Sequence, residues 1–484
     1  MTRTALALLL ACFTPLLLRA QQPAEEPPPG VVLNAGTILR GSELTGYYVV
    51  YGSEEADSDS SQYTLTLLDR NLDELGRTTY RDDEFLNFSA ISYNGQHLAV
   101  IYHRGAQQGN FYLDVIDGSG KALLQRRFGS PHGASLRFLR PTEEGFTYGF
   151  TYRTQSHNDK DEFSIVNLAV ADDRELWKVT SAFDPTVDNY FNYLGEDGDQ
   201  LLIAVSHLPR KKKERTYSLV GLDKTTGAET FRFGQPARDL EGYYLLARPS
   251  GDAFHLLRTW GTAAFNNIPL AVERWTRAGK MEERGLLKST DAVTAYLGQH
   301  QLPPPPPGMN YLKSGEALTT DGHVMVALET WDQRPTRTHF GDAYVGLYGP
   351  GGALRQVLPV PKATNEILNG LLGLQQLGMG IGTGIQQVGR DLRSHGGPLS
   401  YAGSHTDGGL TLQFFFDREF LKEGVRYRNL HVVYYRDGRL GLETIPFTTE
   451  ARLVRVLAAQ RGYLAIFEGL PDGSLRTRLE RLNF

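Results

Sequence analysis

The sequence is short of several things that most catalytic readings require. Its 484 residues hold one cysteine, Cys12. A single thiol excludes an internal disulfide framework and any metal centre built on paired cysteines. There is no GxSxG turn to seat a nucleophilic serine and no HExxH helix to hold zinc. The 12 histidines are scattered between His97 and His431, with no two at ligand spacing. Charge of either sign is also scant. Fifty Lys and Arg against 55 Asp and Glu leave a net charge of -5, which excludes a general affinity for nucleic acid or anionic membrane. Beyond the N-terminal leader, no apolar run approaches the roughly 20 residues of a spanning helix. No catalytic residue and no cofactor is assigned from the residues alone.

What the chain does have begins with that leader, MTRTALALLLACFTPLLLRAQQ. Arg3 is a short positive start, Ala5 to Leu18 an apolar core, and Ala20 a small residue before Gln21. This predicts a secretory signal over residues 1–20 and export to the periplasm, the cell surface or the medium. Leu9-Leu10-Ala11-Cys12 resembles a lipobox, but Phe13 to Leu18 continue the apolar core beyond it, so anchoring through Cys12 is the weaker alternative. Cleavage after Ala20 removes the only cysteine. Residues 21–30, QQPAEEPPPG, are a proline-rich lead-in.

From Val31 onward one pattern returns. Alternating apolar segments flank polar turns such as LLDRNLDELG at Leu67–Gly76, VIDGSGK at Val115–Lys121, GLDKTTGAE at Gly221–Glu229 and YYRDGRL at Tyr434–Leu440. Asp69, Asp117, Asp172, Asp223 and Thr276 recur at a spacing of roughly 50 residues, close to one blade of four antiparallel strands. Earlier hairpins turn at Asn94-Gly95 and Asp321-Gly322, pairs that tolerate the positive φ of a tight turn. The 24 Tyr and 23 Phe suit packing between sheets. The expected fold is all-β, a β-propeller over residues 31–484 with eight four-stranded blades, alternatively seven. The final segment, 453–484, holds only about three strands, so Val31-Val32-Leu33 is expected to pair with it and close the ring.

Two stretches break the repeat. Residues 289–308 run from DAVTAYLG into QLPPPPPG, whose prolines demand an extended path. Residues 362–397 begin with a stretch in which Thr364 or Asn365 is placed to cap a helix bearing Ile367, Leu368, Leu371 and Leu372, and then become glycine-dense. This partly helical insertion is expected to pack over the propeller or meet a partner, with Ile367, Leu371 and Met379 as contact candidates. Arg210 to Arg215 form the one basic run, at a hairpin tip, and Lys211 and Lys213 are the candidates there for an acidic partner. Asn158, Asp159, Asp161 and Glu162 group hard oxygens on one loop, a weak candidate for structural calcium that lacks the glycine of a formal calcium loop.

The leader ending LLRAQQ, the lead-in and the repeated strand–turn units resemble uncharacterised exported propeller-like proteins of the Bacteroidetes. That resemblance implies the architecture and export, and brings no activity. The expected function is an exported binding or scaffold protein recognising an envelope or extracellular protein or glycan through one face. The alternative is a glycan- or peptide-processing hydrolase with its site at the channel.

Overall fold

A computed structural model describes residues 32–40, 43–52, 61–82, 86–104, 110–117, 121–129, 133–153, 161–181, 187–209, 216–236, 242–260, 270–287, 290–333, 337–362, 365–368, 401–407, 409–417, 420–423, 425–451, 454–459, 462–470, 472 and 474–483. Along them run eight antiparallel sheets, spanning 32–82, 86–129, 134–180, 187–236, 242–286, 310–368, 401–449 and 454–481 and numbered here one to eight. Sheets one to five have four strands each, sheets six and seven have five, and sheet eight has three. Pairing joins neighbours in the chain except in sheets six and seven, where Asn365–Leu368 pairs with Arg337–Tyr348 and Leu410–Phe416 with Val425–Arg436, so each sheet is built from a local stretch of chain and needs no distant strand to complete it.

Alternation within a sheet separates two ends. The turns from first to second and from third to fourth strand lie at one end, and the second-to-third connections at the other. Contacts between sheets keep the tight turns together. Arg277, in a turn of sheet five, pairs with Asp197 in a turn of sheet four. The turns themselves are capped by the residues that mark the repeat. Asp69 Oδ1 accepts from the backbone of Asn71 and Asp73 at 2.7 and 2.9 Å, and Asp117 Oδ1 from that of Lys121 at 3.0 Å. Asp223 Oδ1 accepts from Thr226 at 2.7 Å, and Thr276 Oγ1 takes the same part for Lys280 at 3.1 Å. A short side-chain oxygen held over the amides of a turn is why Asp and Thr recur there.

Register irregularities repeat as faithfully as the turns. In sheets one to six the fourth strand carries one extra residue soon after its start: Leu75, Leu123, Leu176, Thr230, Glu282 and Arg355. A bulge turns a side chain away from its proper face, and this accounts for Leu75 and Leu123 being 63% and 45% exposed. The first strands of sheets one to seven are bulged as well, at Leu33, Ser89, Arg137, Leu194, Leu245, Ser314 and Ala402.

Neighbouring sheets meet face to face through apolar residues. Ile101, Phe111 and Leu113 of sheet two pack with Phe146, Phe150 and Leu168 of sheet three. Removing apolar surface from water at roughly 25 cal/mol per Å² is the main term holding one sheet to the next. Close approach requires glycine at Gly149, where an added Cβ would stand 2.5 Å from the Phe138 ring and 2.6 Å from that of Phe191.

The expected β-propeller closed by its terminal strands is overturned. Val32 begins the first strand of sheet one, Val32–Arg40, and pairs with Tyr51 in that same sheet. The last strand, Leu475–Arg481, pairs only with Tyr463–Gly469. Among the described residues sheet eight keeps three strands, and no strand pairing joins the sheets into a closed ring. Between sheets one and eight there is a shared apolar cluster that includes Tyr47, Val49, Ala465 and Phe467, but no hydrogen-bonded ladder.

The helix is also elsewhere. Asn365–Leu368, placed by the sequence in a helix, form a strand paired with Arg337–Phe340. The one helix among the described residues, α1 (Thr290–Gln299), lies in the first insertion. Val293 and Leu297, four apart, are both fully buried on one of its faces. Among the described residues no helix is long and apolar enough to cross a membrane.

Candidate functional site

The residues singled out from the sequence fall largely beyond what can be placed. Asn158, Asp159, Lys211, Lys213, Leu371 and Met379 lie outside the described residues. Asp161 and Glu162 open the strand Asp161–Ala169, opposite Arg153 and Tyr152. Ile367 pairs with Thr338 in sheet six. The flanks of these segments share one end: Arg153 with Asp161, Pro209 with Thr216, and Lys362 with Tyr401 all stand opposite the tight turns. Among the described residues, no three His, Cys, Asp or Glu side chains are placed to hold a metal ion.

The densest polar constellation was not anticipated. It lies at the turn end, where sheets five, six and seven meet. The Asp321-Gly322 turn of sheet six places Asp321 so that Oδ1 accepts from Thr319 Oγ1 and Oδ2 from the phenol of Tyr435, both at 2.5 Å. His323 Nδ1 lies 3.2 Å from that phenol and 3.2 Å from Asp321 Oδ2. Tyr435 reaches in from the third strand of sheet seven. From sheet five, His255 packs on Gly322, whose φ of +82° and missing Cβ leave room for the imidazole. Burial opposes ionisation of Asp321, yet the hydrogen bonds from His323, Thr319 and Tyr435 together hold its carboxyl well below the usual range. Burial and the bond to Asp321 push the Tyr435 phenol up, and burial pushes the His255 imidazole down. A general acid or base works best with a pKa near the working pH. The carboxylate here is far more acidic than that and the phenol far more basic, so the Tyr435–Asp321 bond persists across neutral pH and joins two sheets.

Other charges are buried along the strands. In sheet five, Glu273 is fully buried. Its Oε2 accepts from Trp275 Nε1 at 2.9 Å and the Tyr244 phenol at 3.1 Å, and its Oε1 from Arg284 Nε at 3.0 Å, with Arg258 at 3.7 Å. Arg258 in turn lies over the ring of Tyr217 in sheet four, 5.3 Å from its centroid. In sheet six, Glu329, also fully buried, takes the Lys362 ammonium at 2.6 Å and the backbone N–H of Tyr401 at 3.1 Å. Their hydrogen bonds make these carboxylates affordable in the interior, and both tie neighbouring strands or sheets together. Between sheets one and two, Asp114 accepts from the Tyr102 phenol at 3.2 Å. Burial raises its pKa. Nearby, at the exposed rim, the guanidinium of Arg104 stands 4.8 Å from the Tyr112 centroid and that of Arg127 5.8 Å.

Exposed ion pairs gather instead at the turn end. Glu196 accepts from Lys224 at 2.5 Å and from the Tyr193 phenol at 3.1 Å, and Arg140 Nε donates to that phenol at 3.0 Å. Arg126 meets Asp173 at 2.5 Å and Arg274 meets Asp252 at 3.2 Å. The sequence carried one clue to the group around Asp321, Thr319-x-Asp321-Gly322-His323, in which Asp321 and His323 double as partners of Tyr435. Nothing in it placed Tyr435, which is 114 residues beyond Asp321.

A family model described as a family of unknown function (DUF6770) matches residues 1–245. No curated protein matches the sequence. Among solved structures, one from a study of two prolyl endopeptidases is 12% identical at a TM-score of 0.43, over 96% of this chain and 60% of that one. A europium-containing methanol dehydrogenase is 10% identical at 0.43, over 93% of this chain and 85% of that one. The WD40 domain of SCAP from fission yeast is 9% identical at 0.39, over 92% and 95%. The chain thus spans 60% of the length of the endopeptidase structure it matches. At TM-scores below 0.5, these likenesses carry no argument about activity.

Proposed function

The chain belongs to DUF6770, a family of unknown function, and we propose, from the chemistry of its two ends, that it is an exported binding or scaffold protein. It would recognise a protein or cell-envelope component through the connection end of its sheets. The observation that carries this reading is the contrast between the ends. At the turn end, acids and bases are paired with each other across sheets, as in Asp321–Tyr435, Arg277–Asp197 and Arg126–Asp173. Groups so engaged hold the sheets together and have little left to offer a partner. Toward the connection end the buried charge of Glu329 is locked by Lys362, while the rim carries the exposed Arg127 beside Tyr112. Variable connections on a rigid strand framework are where binding surfaces usually form.

The test uses photo-crosslinking side chains at exposed positions of both ends, Arg127 and Thr448 at the connection end against Gln96 and Lys280 at the turn end. The proteins are exposed to a native envelope extract and competed with unlabelled protein. Saturable adducts from the first pair alone support the reading. Adducts from the second pair alone, or from neither, defeat it.

A second reading, a glycan- or peptide-processing hydrolase, draws on Asp114. Its burial-raised pKa is the property a general acid needs. A screen of glycan and peptide substrates that finds turnover abolished by Asp114→Asn would favour it over the binding reading.

A further inference from the structure

Among the described residues, Arg248 has surroundings that call for a counter-charge the chain does not supply. It sits on the first strand of sheet five, Gly242–Ser250, two residues before the turn. The side chain is half-buried, and its Nε is wholly buried without a hydrogen-bond partner. No ion pair engages it among the described residues. Burial pushes its pKa down, and Tyr193 is the titratable group that acts in the opposite sense. Drawing a guanidinium partly out of water without a counter-charge is unfavourable, and an anion meeting it would offset that.

The neighbours fit that role. The first strands of sheets three, four and five lie side by side, and their backbones come close. An added Cβ on Gly195 of sheet four would stand 3.3 Å from the Ala247 carbonyl of sheet five. Tyr193 of sheet four stacks on Phe138 at 4.8 Å and 25°, which fixes its ring. Arg140 of sheet three lies over that ring, 4.7 Å from its centroid, and donates to the phenol. The nearby acid, Glu196, is already taken by Lys224, the Tyr193 phenol and, at 3.7 Å, Arg140. The local balance is thus positive. Two arginines from sheets on either side flank one phenol, and a planar guanidinium suits the oxygens of a carboxylate or phosphate better than any other side chain.

We infer that Arg248, with Arg140 on the other side of the Tyr193 ring, forms an anion-binding point for a carboxylate or phosphate group. The anion would come from a small metabolite or from an acidic group of a larger partner, and it would bridge sheets three to five. The site stands apart from the connection end and does not depend on the binding reading above.

The experiment follows thermal unfolding of the full chain at fixed ionic strength, with chloride replaced stepwise by inorganic phosphate in one arm and by acetate in the other. A ligand that binds only the folded state raises Tm in a saturable way. The parent protein is expected to respond in at least one arm. Arg248→Gln is expected to lose that response while unfolding at an equal or higher temperature in chloride, because the uncompensated charge is gone. Arg476→Gln, at an exposed position of sheet eight, should respond as the parent does. The arm that responds identifies phosphate or carboxylate as the preferred group. No saturable response in either arm overturns the proposal. So does an undiminished response in Arg248→Gln, or a lower Tm of that variant in chloride, which would mark Arg248 as a structural residue.

Discussion

The carboxylate of Glu329, in the second strand of sheet six, holds the ammonium of Lys362 at 2.6 Å, and neither side chain is more than 2% exposed. Its other oxygen accepts from the backbone of Tyr401, where sheet seven begins. One buried acid thus ties the end of one sheet to the start of the next, across the insertion that the sequence marks as irregular.

Glu329→Gln leaves that ammonium without its partner, and breaking a buried pair from one side typically destabilises by about 3–5 kcal/mol. Denaturant unfolding should register a loss of this size. The double change Glu329→Leu with Lys362→Leu should recover much of it, because it removes both charges.

Two buried histidines set a pH dependence. Burial lowers the pKa of His255, which faces Arg274, Asp321, Glu283 and His323, and of His431, which faces Asp417 and Lys362. A group whose pKa is lower in the folded state favours the unfolded chain once that chain takes up its proton. Their contribution is therefore complete above about pH 6.5, the unperturbed value, and is lost as pH falls below it. Tm should decline from pH 7.5 to pH 5.5, and the double variant His255→Asn/His431→Gln should give a flatter profile over that window.

Tyr435→Phe removes the bond that joins sheet seven to Asp321 in sheet six. Hydrogen bonds to charged groups are worth more than neutral ones, but this carboxylate is half exposed, so a loss of about 1 kcal/mol is expected. Unfolding monitored by circular dichroism should show it, and Tyr427→Phe, at the opposite end of the same strand, serves as the control.

Gly322→Ala places a methyl group 2.4 Å from the His255 imidazole at a φ of +82°. The left-handed backbone alone costs about 1–2 kcal/mol for a residue with a Cβ. Thermal unfolding should show at least that much, more than Gly95→Ala, where nothing stands within 4 Å of the added atom.

Asp114→Asn should leave the fold intact and raise stability at neutral pH. Burial disfavours its charged form, so a neutral isostere that still accepts from Tyr102 relieves that penalty. A lower Tm at pH 7 would contradict the stated cause of the shift.

The turns were the most legible part of the chain. Asp69, Asp117, Asp223 and Thr276 are visible as markers because each turn needs a short oxygen over its own amides, and that need is local. The bulges were not legible. Leu75 and Leu123 look like ordinary apolar strand positions, and only the register with the third strand reveals them as extra residues. Residues 365–368 have an apolar spacing compatible with a helix, but the open edge of Arg337–Phe340 supplied a strand partner, and tertiary pairing overrode local pattern. The Asp321–Tyr435 bond and the setting of Arg248 join residues of different sheets, which no spacing along the chain encodes.

The sequence by itself determined that the protein is built of repeated antiparallel hairpins with aspartate-capped turns, because alternation and turn chemistry act over a few residues. Tertiary structure alone decided how the sheets end and meet. Val32 pairs within sheet one and Leu475–Arg481 within sheet eight, so among the described residues no ladder closes the series. The burial of Glu273, Glu329 and Arg248 depends on which faces pack together, and that choice is made only when whole sheets come into contact.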